Sequence, residues 1–157
     1  EKFSKLFFLD IKFFSSRNLE MKNLINKKKL MTSLKNYDTI VNLLKFNPNN
    51  QNFLNKDLFD KMKKDINLIL IGRLKTVHMK DLYNFLKKNK RATCYIDALP
   101  DKFNDIIFNK LRNFDNVFIT PHIGGYFKNY WIDQISTFEY NLQLFIKGKK
   151  IKNLINE

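Results

Sequence analysis

The sequence predicts an α/β fold: part of a Rossmann-like, doubly wound parallel sheet with a long C-terminal helix. Three observations predict it. Short apolar runs rich in Ile, Val and Phe recur along the chain. Stretches of helical period separate them. The runs are continuously apolar where a half-exposed strand would alternate, which is the pattern of strands covered on both faces. Strand–helix alternation of this kind builds a parallel sheet whose ligands gather beyond the carboxyl ends of the strands.

The elements follow in order. Leu6-Phe7-Phe8-Leu9 reads as a first strand ending at Asp10, and residues 18–34 read as a lysine-rich helix. Thr39-Ile40-Val41-Asn42-Leu43-Leu44 is the next strand. Residues 55–64 form a helix that places Leu58, Phe59 and Met62 on one side. Asn67-Leu68-Ile69-Leu70-Ile71 is a strand, followed by a helix over 79–88 with Met79, Leu82, Tyr83 and Leu86 on one side. Asn89 follows where a left-handed C-cap is wanted. Thr93-Cys94-Tyr95-Ile96 and Asn116-Val117-Phe118-Ile119-Thr120 complete the strands. The last helix, over 128–147, repeats Trp131, Ile135, Phe138, Leu142 and Phe145 at steps of four and three and stops at Gly148. That stripe reads as core packing.

Composition narrows the function classes. A chain of 157 residues is long enough for one domain with a core. No run approaches the ~18–20 apolar residues of a membrane span, and the first residues show no signal-peptide pattern. The single cysteine, Cys94, excludes an internal disulfide and reads as a small buried filler, so a reducing, cytoplasmic setting is expected. The net charge of +14 invites a nucleic-acid reading. The lysines are spread over every segment, however, and no RNA- or DNA-binding signature accompanies them. The excess of Lys, Asn, Ile and Phe beside only four glycines reads as drift in an AT-rich genome. Neither a nucleic acid nor a membrane is an expected partner, and no metal site is expected.

The residues just past each strand carry the chemistry: Asp10, residues 44–47, Gly72 and Arg73, Asp97, and residues 121–125. A guanidinium such as Arg73 matches a carboxylate with a planar, permanently charged fork. An imidazole, the group His122 brings, can give a proton on reduction and take one on oxidation. Gly124 and Gly125 beside it would let backbone approach a ligand. Asp10 at a strand end would bond ribose hydroxyls and favour NAD over NADP. His78 reads as part of a helix N-terminal turn and is assigned no role.

Residues 37–156 resemble the C-terminal half of the D-isomer-specific 2-hydroxyacid dehydrogenases, two-domain NAD(P)-linked enzymes that are usually dimeric. The resemblance rests on several segments in order. These are Tyr37-Asp38 with Asn47-Pro48, Met62-Lys63 spaced from Arg73, the helix behind that arginine, and Ile96-Asp97. Thr120-Pro121-His122-Ile123-Gly124-Gly125 matches the family's histidine signature, and the ending through Gly148 to Asn156 has the family's form. Asn42-Leu43-Leu44 resembles the glyoxylate/hydroxypyruvate reductase branch. The resemblance implies that Arg73 grips the carboxylate of a small 2-oxo or 2-hydroxy acid and that His122 is the proton donor. Ile71, Gly72, Arg73, Asp97, His122, Gly124 and Gly125 would contact NAD, with NADP as the alternative. It also implies a homodimer in the longer form. Residues 1–125 then read as the C-terminal part of a dinucleotide-binding domain, and 126–157 as a helix and tail directed toward a substrate domain.

Two departures oppose ordinary activity. Lys102 stands where the family has the glutamate that pairs with its histidine, and an ammonium there would lower the imidazole's pKa where an acid raises it. Asp101 or Asp105 is the available substitute. Leu70, Ile71 and Leu74 replace the family's Asn, Thr and Gly around the arginine. No Gly-x-Gly-x-x-Gly occurs in the chain. The expectation is a fragment whose glycine loop and substrate domain lie upstream, inactive and poorly stable alone because of an open sheet edge. The alternatives are a degenerate relative without turnover and a basic binding module.

Overall fold

Four parallel strands in sequence order organise the larger part of the chain. In this computed structural model, which describes residues 9–15, 22–100 and 105–154, the chain divides into two compact units, 1–124 and 125–157. Among the described residues the first unit begins with a two-residue pair, β1 (Phe13–Phe14) beside β2 (Leu24–Ile25). Helix α1 (Lys27–Ser33) follows, capped by Asn26, whose side-chain oxygen accepts from the Lys29 N–H at 2.8 Å. The main sheet runs β3 (Thr39–Asn42), β4 (Asn67–Leu70), β5 (Thr93–Ile96), β6 (Val117–Ile119), every neighbour parallel. The register sets Asn42 beside Leu70, Leu70 beside Ile96, and Ile96 beside Ile119. The carboxyl ends of all four strands are therefore level. Three helices connect them: α2 (Lys56–Phe59), α3 (Met79–Lys88) and α4 (Ile106–Leu111).

The core lies on one side of the sheet. Leu68, Leu70, Cys94, Ile96 and Val117 meet Leu58, Phe59, Met62, Leu82, Phe85, Leu86, Phe108 and Leu111 from the helices. The expectation of strands covered on both faces is corrected here. Val41, Tyr95 and Phe118, which point the other way, are 49%, 44% and 48% exposed, and Tyr95 stacks on Phe118 with ring centroids 4.9 Å apart. The strands alternate buried and open in the manner of a sheet with one covered face. Cys94 is buried, and desolvation pushes its thiol up to about 12, so it is an inert filler as the sequence suggests.

Other boundaries move for identifiable reasons. The strand predicted over 39–44 stops at Asn42, because the Asn42 side chain, not a neighbouring strand, accepts the Leu44 N–H at 3.1 Å. Of the helix predicted over 18–34, residues 18–21 lie outside the described residues; within the rest the helix begins at Lys27, since β2 occupies Leu24–Ile25. The helix predicted over 55–64 closes after Phe59 in a tighter turn, with Met62 N–H bonding Phe59 O, while Leu58, Phe59 and Met62 are buried as expected. Helix α3 has the predicted bounds, but Asn89 is not left-handed. At φ −112° it caps by side chain, donating to Phe85 O at 2.8 Å. Of the first predicted strand, Leu6, Phe7 and Phe8 lie outside the described residues, and Leu9 and Asp10 belong to no strand.

The second unit is helix α5 (Tyr130–Ile146) with its flanks. Gly148 ends it in the left-handed region, φ +62°, the conformation that favours glycine. The reading of its stripe as core is corrected. Trp131, Ile135, Phe138, Leu142 and Phe145 are all exposed, and no residue of α5 is buried. A single helix offers its own apolar side chains no second layer to pack against.

Candidate functional site

The level strand ends make one cleft of about 660 Å³, lined by Leu43, Leu44, Ile71, Gly72, Arg73, Leu99 and His122 among others. Arg73 and His122, 49 residues apart by subtraction of their numbers, therefore line the same cavity.

Arg73 is held by backbone. Gly72 sits where β3 and β4 release their chains. Its N–H donates to Asn42 O at 2.7 Å, and a Cβ there would stand 2.8 Å from Leu44 O and 2.9 Å from Leu44 N. Only glycine fits so close an approach. Beyond Arg73 the chain makes a 3₁₀ turn, Leu74–Thr76, with both the N–H and the hydroxyl of Thr76 donating to Arg73 O, at 3.0 and 2.7 Å. Asn42 Nδ2 donates to the Thr76 hydroxyl at 2.9 Å, and both residues are buried. This buried polar chain, Asn42 to Thr76 to the Arg73 carbonyl, fixes the turn and leaves the guanidinium exposed, with no carboxylate paired to it among the described residues. Sequence reading overlooked Asn42 and Thr76. The available signal was a polar residue inside the apolar run Thr39-Ile40-Val41-Asn42-Leu43-Leu44. Thr76→Val removes the acceptor from a buried amide, which costs about 1–3 kcal/mol. A urea-denaturation midpoint unchanged from the parent would show that the pair contributes nothing.

His122 occupies the loop after β6. Its N–H reaches back across Pro121 to Thr120 O at 2.9 Å, and its φ of +59° is left-handed, a conformation that costs an L-residue about 1–2 kcal/mol. Asp97, just past β5, collects this loop. Its Oδ1 accepts from the Thr120 hydroxyl and, at 2.9 Å, from Ile123 N–H; its Oδ2 accepts from Gly124 N–H at 2.6 Å. A Cβ on Gly124 would lie 2.5 Å from Asp97 Oδ2, so a side chain there would push the carboxylate out of its present place, whereas a Cβ on Gly125 meets nothing within 4 Å. The Thr120 hydroxyl, then the Gly124 and Ile123 N–H groups and the nearby His122, hold the Asp97 carboxyl below the usual carboxylate range, against partial desolvation. A depressed folded pKa means these bonds contribute fully above the unfolded value of about 3.9 and are lost as pH falls through the lower folded one.

The remaining sequence candidates separate. Asp10 is exposed and pairs with Lys12 at 2.7 Å; Leu6, Phe7 and Phe8 of the strand expected before it lie outside the described residues. Asp105 is the N-cap of α4, its Oδ1 accepting from Phe108 N–H at 2.8 Å. Asp101 and Lys102 lie outside the described residues. Leu70 and Leu74 are buried core, while Ile71 is exposed on the cleft wall. His78 stands at the α3 N-terminus with Nδ1 2.7 Å from Asp81 Oδ2, a helix-turn role as expected.

Residues 5–124 match the family profile described as "D-isomer specific 2-hydroxyacid dehydrogenase, NAD binding domain". A Staphylococcus saprophyticus protein assigned as a 2-hydroxyacid dehydrogenase is 36% identical over 96 residues, which are 61% of this chain and 30% of that protein. Among solved structures, D-lactate dehydrogenase with NAD+ from Lactobacillus jensenii superposes with a TM-score of 0.77 at 21% identity, over 92% of this chain and 47% of that one. An NADPH-dependent glyoxylate/hydroxypyruvate reductase from Sinorhizobium meliloti, in complex with citrate, gives 0.77 at 19%, over 92% and 45%. At these identities the superpositions establish the Rossmann-like fold alone. The chain spans about half the length of the solved relatives it matches, and less than a third of the curated one.

Proposed function

Because the chain belongs to the D-isomer specific 2-hydroxyacid dehydrogenase family, matched through its NAD-binding domain, we propose that it supplies the nicotinamide-side half of an NAD(P)-dependent oxidoreductase. The proposed substrates are small 2-oxo acids, reduced to 2-hydroxy acids, and glyoxylate and hydroxypyruvate are the first candidates. One observation carries the reading: Arg73, whose backbone is fixed and whose guanidinium pairs with no carboxylate among the described residues, and His122 line one cleft at the carboxyl ends of parallel strands. Ligands of open α/β sheets bind at that position.

The roles follow from chemistry. Arg73 binds the substrate carboxylate with two parallel N–H donors and orients the carbonyl. His122, protonated, gives its proton to the carbonyl oxygen as hydride reaches the carbon, and takes one in the reverse direction. A bound nicotinamide cofactor would supply that hydride. An ionised carboxylate has about four acceptor positions, and the His122 loop fills three on Asp97, one by each hydrogen bond. The fourth suits the carboxamide N–H of a nicotinamide. Gly72, Ile71 and Gly124 are the backbone beside which the ring would lie. The pyrophosphate has no glycine loop in this chain, so a complete cofactor site needs sequence beyond it. Helix α5 supports the same reading, since its exposed apolar stripe suits a further domain or subunit.

The test is NADH oxidation by the polypeptide that includes whatever precedes Glu1 in its gene, with glyoxylate or hydroxypyruvate as acceptor. Turnover is expected, and Arg73→Ala lowers kcat/KM by about 10–100-fold, mainly through KM, as loss of a charge-assisted contact does. Absence of turnover with any small 2-oxo acid would favour a relative that keeps the fold without the reaction. Turnover indifferent to Arg73 would overturn its role.

A further inference from the structure

We infer that Asp97 is a positioning residue for His122: its carboxylate clamps the loop that carries the imidazole by bonding the loop's backbone on the far side of the histidine and a hydroxyl on the near side. The positioning role rests on the proposed part of His122 in the reaction; the clamp itself does not.

The argument starts from the loop's conformation. His122 has a left-handed φ of +59°, which an L-residue abandons unless its neighbours are held. Both neighbours are held, and by one group. Thr120, two residues before His122, donates its hydroxyl to Asp97 Oδ1, while Ile123 and Gly124, directly after it, donate their N–H groups to Oδ1 and Oδ2 at 2.9 and 2.6 Å. The carboxylate therefore closes a ring around His122, a residue that lines the cleft.

Asp97 is itself referenced to the sheet. Its N–H donates to Leu70 O at 3.0 Å, so it continues the ladder of β5 on β4, and Thr120 N–H continues the β6 ladder onto Ile96 O at 3.0 Å. The imidazole thus inherits its place from the same strand, β4, whose end releases Gly72 and Arg73. Gly124 completes the case. A side chain there would collide with the carboxylate at 2.5 Å, so the residue is glycine to let the clamp close, independently of any ligand. A carboxylate used only as a cofactor contact would need neither the three donors nor the glycine.

Two readouts test this. Amide hydrogen exchange on the 157-residue chain, resolved by NMR, is expected to find Ile123 and Gly124 protected. Asp97→Asn turns an amide nitrogen toward the loop's donors and speeds exchange at both by about tenfold or more, the worth of a hydrogen bond to a charged group. Cys94 N–H, bonded to Asn116 O at 2.9 Å, reports that the sheet stays folded. Thr120→Val, which leaves Asp97 in place, is expected to loosen the same two amides to a smaller degree. Unchanged exchange at Ile123 and Gly124 in Asp97→Asn, with the sheet intact, overturns the clamp; if that variant unfolds the sheet, Thr120→Val decides in the same way. In the polypeptide that turns over, Asp97→Asn lowers kcat at saturating NADH about tenfold or more while KM for the 2-oxo acid stays within about twofold, as misplacing a proton donor does, whatever the lost carboxamide contact adds to KM for NADH. A raised KM for NADH with unchanged kcat makes Asp97 a cofactor contact and overturns positioning. If the unmutated polypeptide has no turnover, the proposed reaction fails and the exchange comparison alone decides the clamp.

Discussion

In a polypeptide that carries the proposed 2-oxo acid reduction, replacing His122 with alanine is expected to lower kcat by about 10²–10⁴-fold, the range that a positioned general acid contributes. The reason is the balance of the reaction. Hydride arriving at the carbonyl carbon leaves negative charge on oxygen, and a proton must reach that oxygen in the same event. His122 is the one imidazole on the cleft; the only other histidine, His78, lies beside Asp81 at the start of α3. Arg73, always protonated, stabilises charge and donates no proton. His122→Ala should therefore change kcat and kcat/KM together and leave NADH affinity within about twofold, the signature of an interaction made only in the transition state. His122→Gln keeps a hydrogen-bonding group without an acid and should fall in the same range. Stopped-flow or steady-state NADH oxidation measures both. A variant retaining a third or more of parental kcat would remove the imidazole from the mechanism and leave the cleft as a binding site.

The positions of Arg73 and His122 were legible in the sequence because each follows a short apolar run, and in a parallel sheet every such position reaches the same end. Runs beginning at Asn67 and Asn116 were therefore enough to bring them together. The buried face was legible for the same reason: Leu82 and Leu86, at helical spacing, are fully buried. What pattern does not reveal is which face of an apolar strand has a partner. Tyr95 and Phe118 look as buried as Cys94 and Val117 in sequence, but covering them takes a second layer, which the composition of the strand does not specify. The stripe of α5 misled in the same way, since periodicity reports an apolar face and not what covers it. The role of Asp97 escaped because a strand-end carboxylate reads as a ligand contact, whereas its three donors come from 23 to 27 residues away in sequence. Asn42 escaped because its partner, Thr76, is 34 residues distant.

Gly72→Ala should be the substitution that most damages the cleft without touching a charged group. The added Cβ would lie 2.8 Å from Leu44 O, 2.9 Å from Leu44 N and 3.1 Å from Asn42 O. All three are backbone atoms, and two belong to the bonds that join β3 to the Arg73 turn, Gly72 N–H to Asn42 O and Arg73 N–H to Leu44 O. No rotamer relieves such a contact, so the strand ends must part. Forcing a methyl into a packed site costs about 1–3 kcal/mol, and the strained hydrogen bonds place this case toward the upper end. Urea denaturation of the chain measures the loss as a lower midpoint at unchanged slope. Gly125→Ala is the control, because a Cβ there meets nothing within 4 Å and stability should stay within about 0.5 kcal/mol. The same parting of strand ends moves the carbonyl that Thr76 holds, so the Arg73 turn shifts with it. In the polypeptide that turns over, Gly72→Ala is thus expected to raise KM for the 2-oxo acid although the guanidinium is intact. Equal stability of the two alanine variants would mean that β3 and β4 do not approach as closely as 2.7 Å at Asn42, and the geometry that fixes Arg73 would have to be redrawn.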